Sequence, residues 1–466
     1  MNVLKKLIAS LLFAMASTSA FAITNAQVFA YAEANYSSLF PGTATAGQYQ
    51  QYDYRYYAAT GNSLAIDNDG MIFVLGPVSG GKTDPLPVGT VASFANAITD
   101  WEGKQGGTGN TINTQVIGLM GGAIQGTPLN LTAAVTTLAG YVSAIPVTIT
   151  DGTGTAASFY SPPGITTDGT NLYVADVTAI RKIVIATGAV TTLAGSTLGA
   201  TGSADGTGTA ARFANVRGIT TDGKDVYVAD TDNSTIRKIV IATGAVTTLA
   251  GTAKSNGITD GTGAAARFYR PSSLTADGTN LYVADTGNHV IRKIVIATGA
   301  VTTLAGTASP FFGYGSTDGT GTAAKFSGPA GITTDGTNLY VADTGNNAIR
   351  KVVIATGAVT TLAGGAWGST DGTGTAALFY SPSGTVTDGT NLYVADSYNT
   401  TIRKIVIATG AVTTLASTGW GTAGWGSASV DGKGAAARFA RPQGITTDGT
   451  SLYVSDIVST TIRRIQ

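Results

Sequence analysis

The tetrapeptide YVAD recurs along this 466-residue chain with its aspartate at Asp176, Asp230, Asp285, Asp343 and Asp396, and a sixth copy, YVSD, ends at Asp456. Adjacent copies stand 53 to 60 residues apart. Around each one the order is constant: a GITTD-like run, a DG turn, NLYVAD, a turn such as TGNH, IRKIVI, a TG turn, then AVTTLAG. β-Branched residues fill four short runs per copy and turn formers separate them, so each copy predicts four antiparallel strands, a to d. No helical periodicity lies between copies. A four-stranded sheet repeated six times predicts an all-β, six-bladed β-propeller; periods of roughly 20–30 residues would instead predict a solenoid.

The sixth copy has strand a (Gly444 to Asp448), strand b (Leu452 to Asp456) and strand c (Thr461 to Ile465) but no VTTLAG, while an unpartnered VTTLAG at Val135 to Gly140 precedes the first strand a. One strand from before the repeats and three from the last copy are therefore expected to complete the final blade. That 1+3 closure leaves no open edge in the ring.

The run FYRPSSLTADGTNLYVADTGNHVIRKIVIATGAVTTLAG, Phe268 to Gly306, resembles the NHL repeat, with Asn288-His289-Val290 at the name-giving triplet. The resemblance covers 131–466. It implies a six-bladed propeller that usually serves as a binding platform and only occasionally as an enzyme.

Ahead of the propeller, residues 1–22 read as an export signal: Lys5 and Lys6, an apolar run from Leu7 to Ala16, then Ala20-Phe21-Ala22. A periplasmic or extracellular location is expected. No later apolar run approaches the roughly 18 residues of a membrane span, and the chain has no cysteine. Residues 23–80 predict a small α+β module, with a helix over Asn25 to Phe40, strand candidates over Gln48 to Ala59 and Ser63 to Pro77, and a hairpin at Asp69-Gly70. It resembles a module found at the front of other exported bacterial proteins. The Gly-rich stretch 81–130 reads as linker or irregular chain.

The chemistry-bearing residues are sparse. GPVSGGKT, Gly76 to Thr83, matches the phosphate-loop pattern, but Pro85 and Pro87 forbid the helix that must start at Lys82. The propeller holds no glutamate and twenty aspartates. Three per copy recur as repeat positions and only Asp225 and Asp232 remain, so no unique carboxylate pair of distinct environments stands out. The single histidine, His289, cannot build the multi-histidine metal sites that the resemblance to propeller lyases would imply, and the glutamate ligand of gluconolactonase-like propellers is missing. No catalytic residue, metal ligand or cofactor is assigned; calcium at DNDG, 67 to 70, or at the repeat aspartates is the one cofactor left open. Lys plus Arg balance Asp plus Glu at 27 each, which argues against nucleic acid as a partner.

The remaining repeat positions predict structural roles. The Asp-x-x-Asn turns are expected to cap their own backbone, and each strand-c Arg-Lys or Arg-Arg pair to meet the repeat aspartates one each. DGTGTAARF, Asp205 to Phe213, predicts a short helical turn with Thr209 near its N-cap and Phe213 buried between blades.

Variation is confined to the inserts between VTTLAG and the next DGTG, which run from 6 to 13 residues and fall on one face of the ring. They carry aromatics the repeat does not need: Phe311, Phe312 and Tyr314, then Trp367, then Trp420 and Trp425. Large rings flanked by glycines mark a binding patch or a plug of the ring opening. As a patch on adjacent blades they would suit a protein or a carbohydrate partner. The leading expectation is an exported, non-catalytic binding scaffold; the alternatives are a lyase or lactonase-type hydrolase with an atypical site, and a surface assembly component.

Overall fold

The computed structural model describes five strands between residues 45 and 90, and residues 128–141, 149–307, 314–417 and 429–466. The chain divides into two units, 1–117 with 122–124, and 118–121 with 125–466. The first holds an antiparallel sheet whose strands, Thr45–Tyr49, Tyr52–Tyr57, Asn62–Asp67, Met71–Leu75 and Leu86–Thr90, pair in sequence order. Two expectations change here. The single stretch Gln48 to Ala59 is two strands, with Tyr49 opposite Tyr52, a break that no glycine or proline signals. The stretch 81–130 contains a strand, Leu86–Thr90, in which Pro87 lies opposite Phe73; prolines that forbid a helix are tolerated in this edge strand. The hairpin strands flanking Asp69-Gly70 pair as expected, Ile66 with Ile72. The helix expected over 25–40 and the loop 76–83 lie outside the described residues.

The second unit is a propeller of six sheets. Blade 2 shows the pattern: strand a is Val216–Thr221, b is Asp225–Asp230, c is Thr235–Val240 and d is Ala245–Ala250, each antiparallel to the next. A fifth strand, e, corrects the four-stranded expectation. Gly206–Thr207, from the DGTG motif, pairs outside strand d, and a two-residue strand of turn formers leaves no period-2 signal. A 3-10 turn, Gly208–Ala210, follows. Thr207, not Thr209, flanks it, and no side chain caps it. The short helical turn is there, but it is too brief to need a cap. Phe213 is fully buried among Tyr173 and Ala175 of blade 1 and Val226 and Val228 of blade 2.

Ring closure is as the sequence requires. Ala134–Ala139 lies against Thr461–Ile465, with Val135 opposite Ile465 and Ala139 opposite Ile462. Beyond it Gly432–Lys433 adds strand e of the same blade. At the centre the six strands a approach so closely that a Cβ on Gly331 would stand 1.8 Å from the Ser383 carbonyl oxygen, and one on Gly164 2.0 Å from that of Arg217. At Gly164 and Gly331 glycine answers this close packing and not a turn, while blade 3 carries Ser273 at the same position. Among the described residues no helix is long and apolar enough to cross a membrane.

Candidate functional site

Twelve of the propeller's twenty aspartates belong to one repeated cluster. The first arginine of each strand-c pair, for example Arg237, is fully buried. Its guanidinium bridges two aspartates: Asp205 of the DGTG motif at 2.6 Å and Asp230 of YVAD at 2.8 Å. It also donates to the Arg212 and Ala204 carbonyls and lies 5.2 Å over the Phe213 ring. A β-bulge in the c–d pairing falls between Ile236 and Arg237, a device that re-aims side chains. One arginine thus takes two aspartates, in place of the expected pairing of one each, because its fork presents several donors where lysine offers a point charge. The lysine beside it is only half-buried, and Lys238 pairs with the extra Asp225 at 2.6 Å.

The Asp-x-x-Asn turns also depart from the expectation. The Asn233 amide donates to Asp230 at 2.8 Å and to the insert carbonyl of Gly202 at 2.7 Å, while Asp230 accepts the Ala214 backbone N–H. These side chains therefore tie the b–c turn to the insert and to the start of the next connection. Self-capping belongs to the a–b turn, where Asp168 accepts the N–H groups of Thr170 and Asn171. The same carboxylate accepts the Tyr173 phenol at 2.7 Å. Burial, followed by the charge and hydrogen bond of Asp168, pushes that phenol far above its ordinary range. Sequence reading missed this pair, although a fixed Asp-x4-Tyr spacing signals it in every copy.

His289 is part of the scaffold. Its backbone is left-handed, φ 58°, and its Nδ1 accepts the Gly328 N–H at 2.9 Å. Burial lowers its pKa, in keeping with a neutral acceptor. Asn347 does the same for the Ser381 N–H one blade on. Among the described residues no three His, Cys, Asp or Glu side chains assemble a cation site.

Blade 1 breaks the pattern. Its turn, DVTAIR, lacks the asparagine, so fully buried Asp176 is 3.6 Å from Arg181 and its Oδ2 has no hydrogen-bond partner. Burial pushes its pKa up to about 6 against the pull of two backbone N–H groups and Arg181.

The predicted aromatics fall on the face of the inserts. Trp367 is 74% exposed and Tyr314 59%. Tyr314 meets His289 edge-on at 5.9 Å. Trp367 is 6.3 Å from Tyr380, which is 5.1 Å from Tyr398, and the Arg441 guanidinium caps Tyr398 at 4.7 Å. No ring contact joins Tyr314 to Trp367 among the described residues. Phe311, Phe312, Trp420 and Trp425 lie outside them. Tyr380, Tyr398 and Arg441 were not singled out from the sequence, because their positions sit in conserved-length turns and not in the inserts.

Geometry alone defines the class: a six-bladed β-propeller sealed by a strand from ahead of the repeats. Over 287 residues the chain is 31% identical to SUPPRESSOR OF QUENCHING 1, chloroplastic, of Arabidopsis thaliana, and over 291 residues it is 32% identical to NHL repeat-containing protein 2 of Homo sapiens. Those alignments take in 57% and 55% of this chain but only 26% and 39% of the relatives, so it spans well under half of either. The chain is an NHL-repeat-containing β-propeller protein. No model of a known protein family matches it. Among solved structures, an auxiliary nutrient binding protein from Bacteroides thetaiotaomicron VPI-5482 superposes with a TM-score of 0.53 at 15% identity, covering 91% of this chain and 98% of that one. A protein of unknown function from the same organism gives 0.53 at 17% identity with the same coverage.

Proposed function

We propose that this protein is an exported, non-catalytic binding platform whose ligand or partner meets the propeller face that carries the inserts. The observation that carries the reading is Trp367, a large ring 74% exposed on that face and needed by no blade. Leaving such a ring in water is costly unless something covers it. The commitment of the buried arginines, the repeat aspartates and His289 to structural contacts supports a scaffold over a chemical site, and a nutrient-binding neighbour in fold is in keeping with it. Export rests on the residues 1–22, and a shift of the mature N-terminus to Ile23 in the periplasm or medium tests it.

The test of binding is to present the chain to envelope extracts and a glycan panel, then repeat with Trp367, Trp420 and Trp425 all changed to Ala. Loss of a partner by a normally folded variant is expected; retention of every partner removes this face as the site. EDTA is expected to leave Tm unchanged, and a fall of more than a few degrees would assign calcium to the aspartate turns.

A further inference from the structure

At three successive blade junctions the connection entering strand a is clasped by the left-handed residue that closes the b–c turn of the blade before. The Ser234 hydroxyl accepts the Arg270 N–H at 3.4 Å, the His289 Nδ1 accepts that of Gly328 at 2.9 Å, and the Asn347 Oδ1 accepts that of Ser381 at 2.9 Å. All three residues have φ between 50° and 58°. The threonine that opens each turn adds a second tie. Thr286 donates to the Pro329 carbonyl at 2.6 Å, as Thr231 and Thr344 donate to those of Pro271 and Pro382 at 2.7 Å. The junctions are thus built alike, and they differ in one chemical respect. A hydroxyl or an amide oxygen accepts at any ordinary pH, whereas an imidazole nitrogen accepts only while it carries no proton. A proton on Nδ1 would set a donor against the Gly328 donor, and the contact must open.

The surroundings of His289 offer that proton no partner. Tyr314 meets the ring edge-on at 5.9 Å. Behind the turn, the Tyr269 carbonyl accepts the Gly287 N–H at 2.8 Å. Asp285, at the start of the turn, and Asp343, which accepts the Ser327 N–H next to Gly328, are each spent on a buried arginine, Arg292 and Arg350. The Lys325 side chain, of the wrong sign, lies along Gly315, where a Cβ would stand 3.0 Å from it. Burial lowers the imidazole pKa from its ordinary 6.5 and no carboxylate raises it. Stability contributed by such a histidine is fully present above pH 6.5 and fades as pH falls below it, until the folded chain takes up its own proton. We propose that His289 is an acid-sensitive clasp between blades 3 and 4: neutral, it holds the connection into strand a beside Tyr314, and a proton on Nδ1 releases that connection while the clasps at Ser234 and Asn347 stay shut. The device goes beyond the binding-face reading and is measured without a ligand, so either can fail alone.

Nuclear magnetic resonance of the full chain tests it, because His289 is the single histidine and its imidazole signals need no assignment. The expected result is a neutral ring protonated on Nε2 and a titration midpoint below 6.5. Protection of the Gly328 amide against hydrogen exchange, corrected for the intrinsic rate, should fall at least about tenfold between about pH 7.5 and about pH 5. The Ser381 amide, held by Asn347, should keep its protection over the same range. His289→Asn supplies the acceptor used one blade on and tolerates the left-handed backbone, so it should abolish the acid loss at Gly328. Should that variant melt early, the comparison of Gly328 with Ser381 in the parent chain decides alone. A midpoint at or above 6.5, or an equal change at the two amides, overturns the proposal. So does an acid loss at Gly328 that persists in a folded His289→Asn chain.

Discussion

The interior of the blades and the rim around the channel mouth use the same residue types to opposite ends. Inside, six arginines each face two aspartates and lie over a phenylalanine, with guanidinium-to-ring distances of 5.0 to 5.3 Å throughout, the YVAD aspartate standing off to 3.6 and 4.0 Å only in blades 1 and 6, whose turns lack the asparagine. At the rim, arginine and aromatic side chains are held by few partners and the blades differ, with Arg-Pro entering strand a in blades 3 and 6 and Tyr-Ser-Pro in blades 1 and 5. Each guanidinium is buried with only its Nε lacking an acceptor, so loss of a carboxylate partner would be costly and the interior repeats with little change. The rim carries no such demand and is free to diverge, which is where a ligand-specific surface can arise.

Breaking the interior at its seam should have the largest effect. A chain beginning at Tyr141 loses the strand Ala134–Ala139 and leaves strand c of the last blade unpaired, whereas one beginning at Gly126 keeps it, together with buried Leu129, whose N–H reaches Asp388 at 3.0 Å. The shorter chain should aggregate or melt far earlier. Equal melting temperatures for the two would sink the closure strand's role. Next in size, Arg237→Met strands two carboxylates, one of them fully buried, and should cost roughly 3–5 kcal/mol in denaturant unfolding. Arg181→Met should cost measurably less, because its YVAD aspartate is already poorly paired at 3.6 Å. A larger loss at Arg181 would contradict that difference.

Asp176 sharpens the contrast within the interior itself. Its carboxyl has a folded-state pKa of about 6 against an ordinary 3.8. A carboxyl raised in this way contributes stability that is fully present below pH 4 and is lost as pH climbs through about 6. Asp176→Asn, which cannot ionise, should therefore gain on the parent chain between pH 4 and 6.5, by up to about 3 kcal/mol at 1.4 kcal/mol per pH unit. Asp230→Asn should instead destabilise at neutral pH, since its new amide would face the donors of Asn233 and Arg237, both 2.8 Å from the carboxylate. Parallel unfolding curves for Asp176→Asn and the parent across that range would refute the assignment.

Much of the fold was legible because it is written six times over. YVAD and VTTLAG repeat with turn formers at fixed offsets, and the orphan copy at Val135 specifies the closure before any contact is known. What escaped was written at spacings no strand or helix period detects. Arg237 reaches Asp205 across 32 residues, and Gly206–Thr207 is too short to alternate. The aromatic inserts were visible as departures from the repeat. Tyr398 and Arg441 were not, because each stands in a turn of ordinary length and gains its role only from a neighbour 43 residues away.

The smallest effect expected belongs to the rim, and it is the one that separates binding from folding. Trp367 is exposed and meets Tyr380 at a tilt from 6.3 Å, so its removal uncovers little and opens no cavity. Trp367→Ala should shift stability by no more than about 0.5 kcal/mol, the ordinary range for a surface change. A ring that packed back to plug the channel would behave otherwise, since truncating a buried tryptophan typically costs about 3–5 kcal/mol. Melting curves of the single variant therefore discriminate between a ring kept for a ligand and one kept for the scaffold. A drop of several degrees would move Trp367 from the rim to the interior side of the comparison and remove the observation on which the binding face rests.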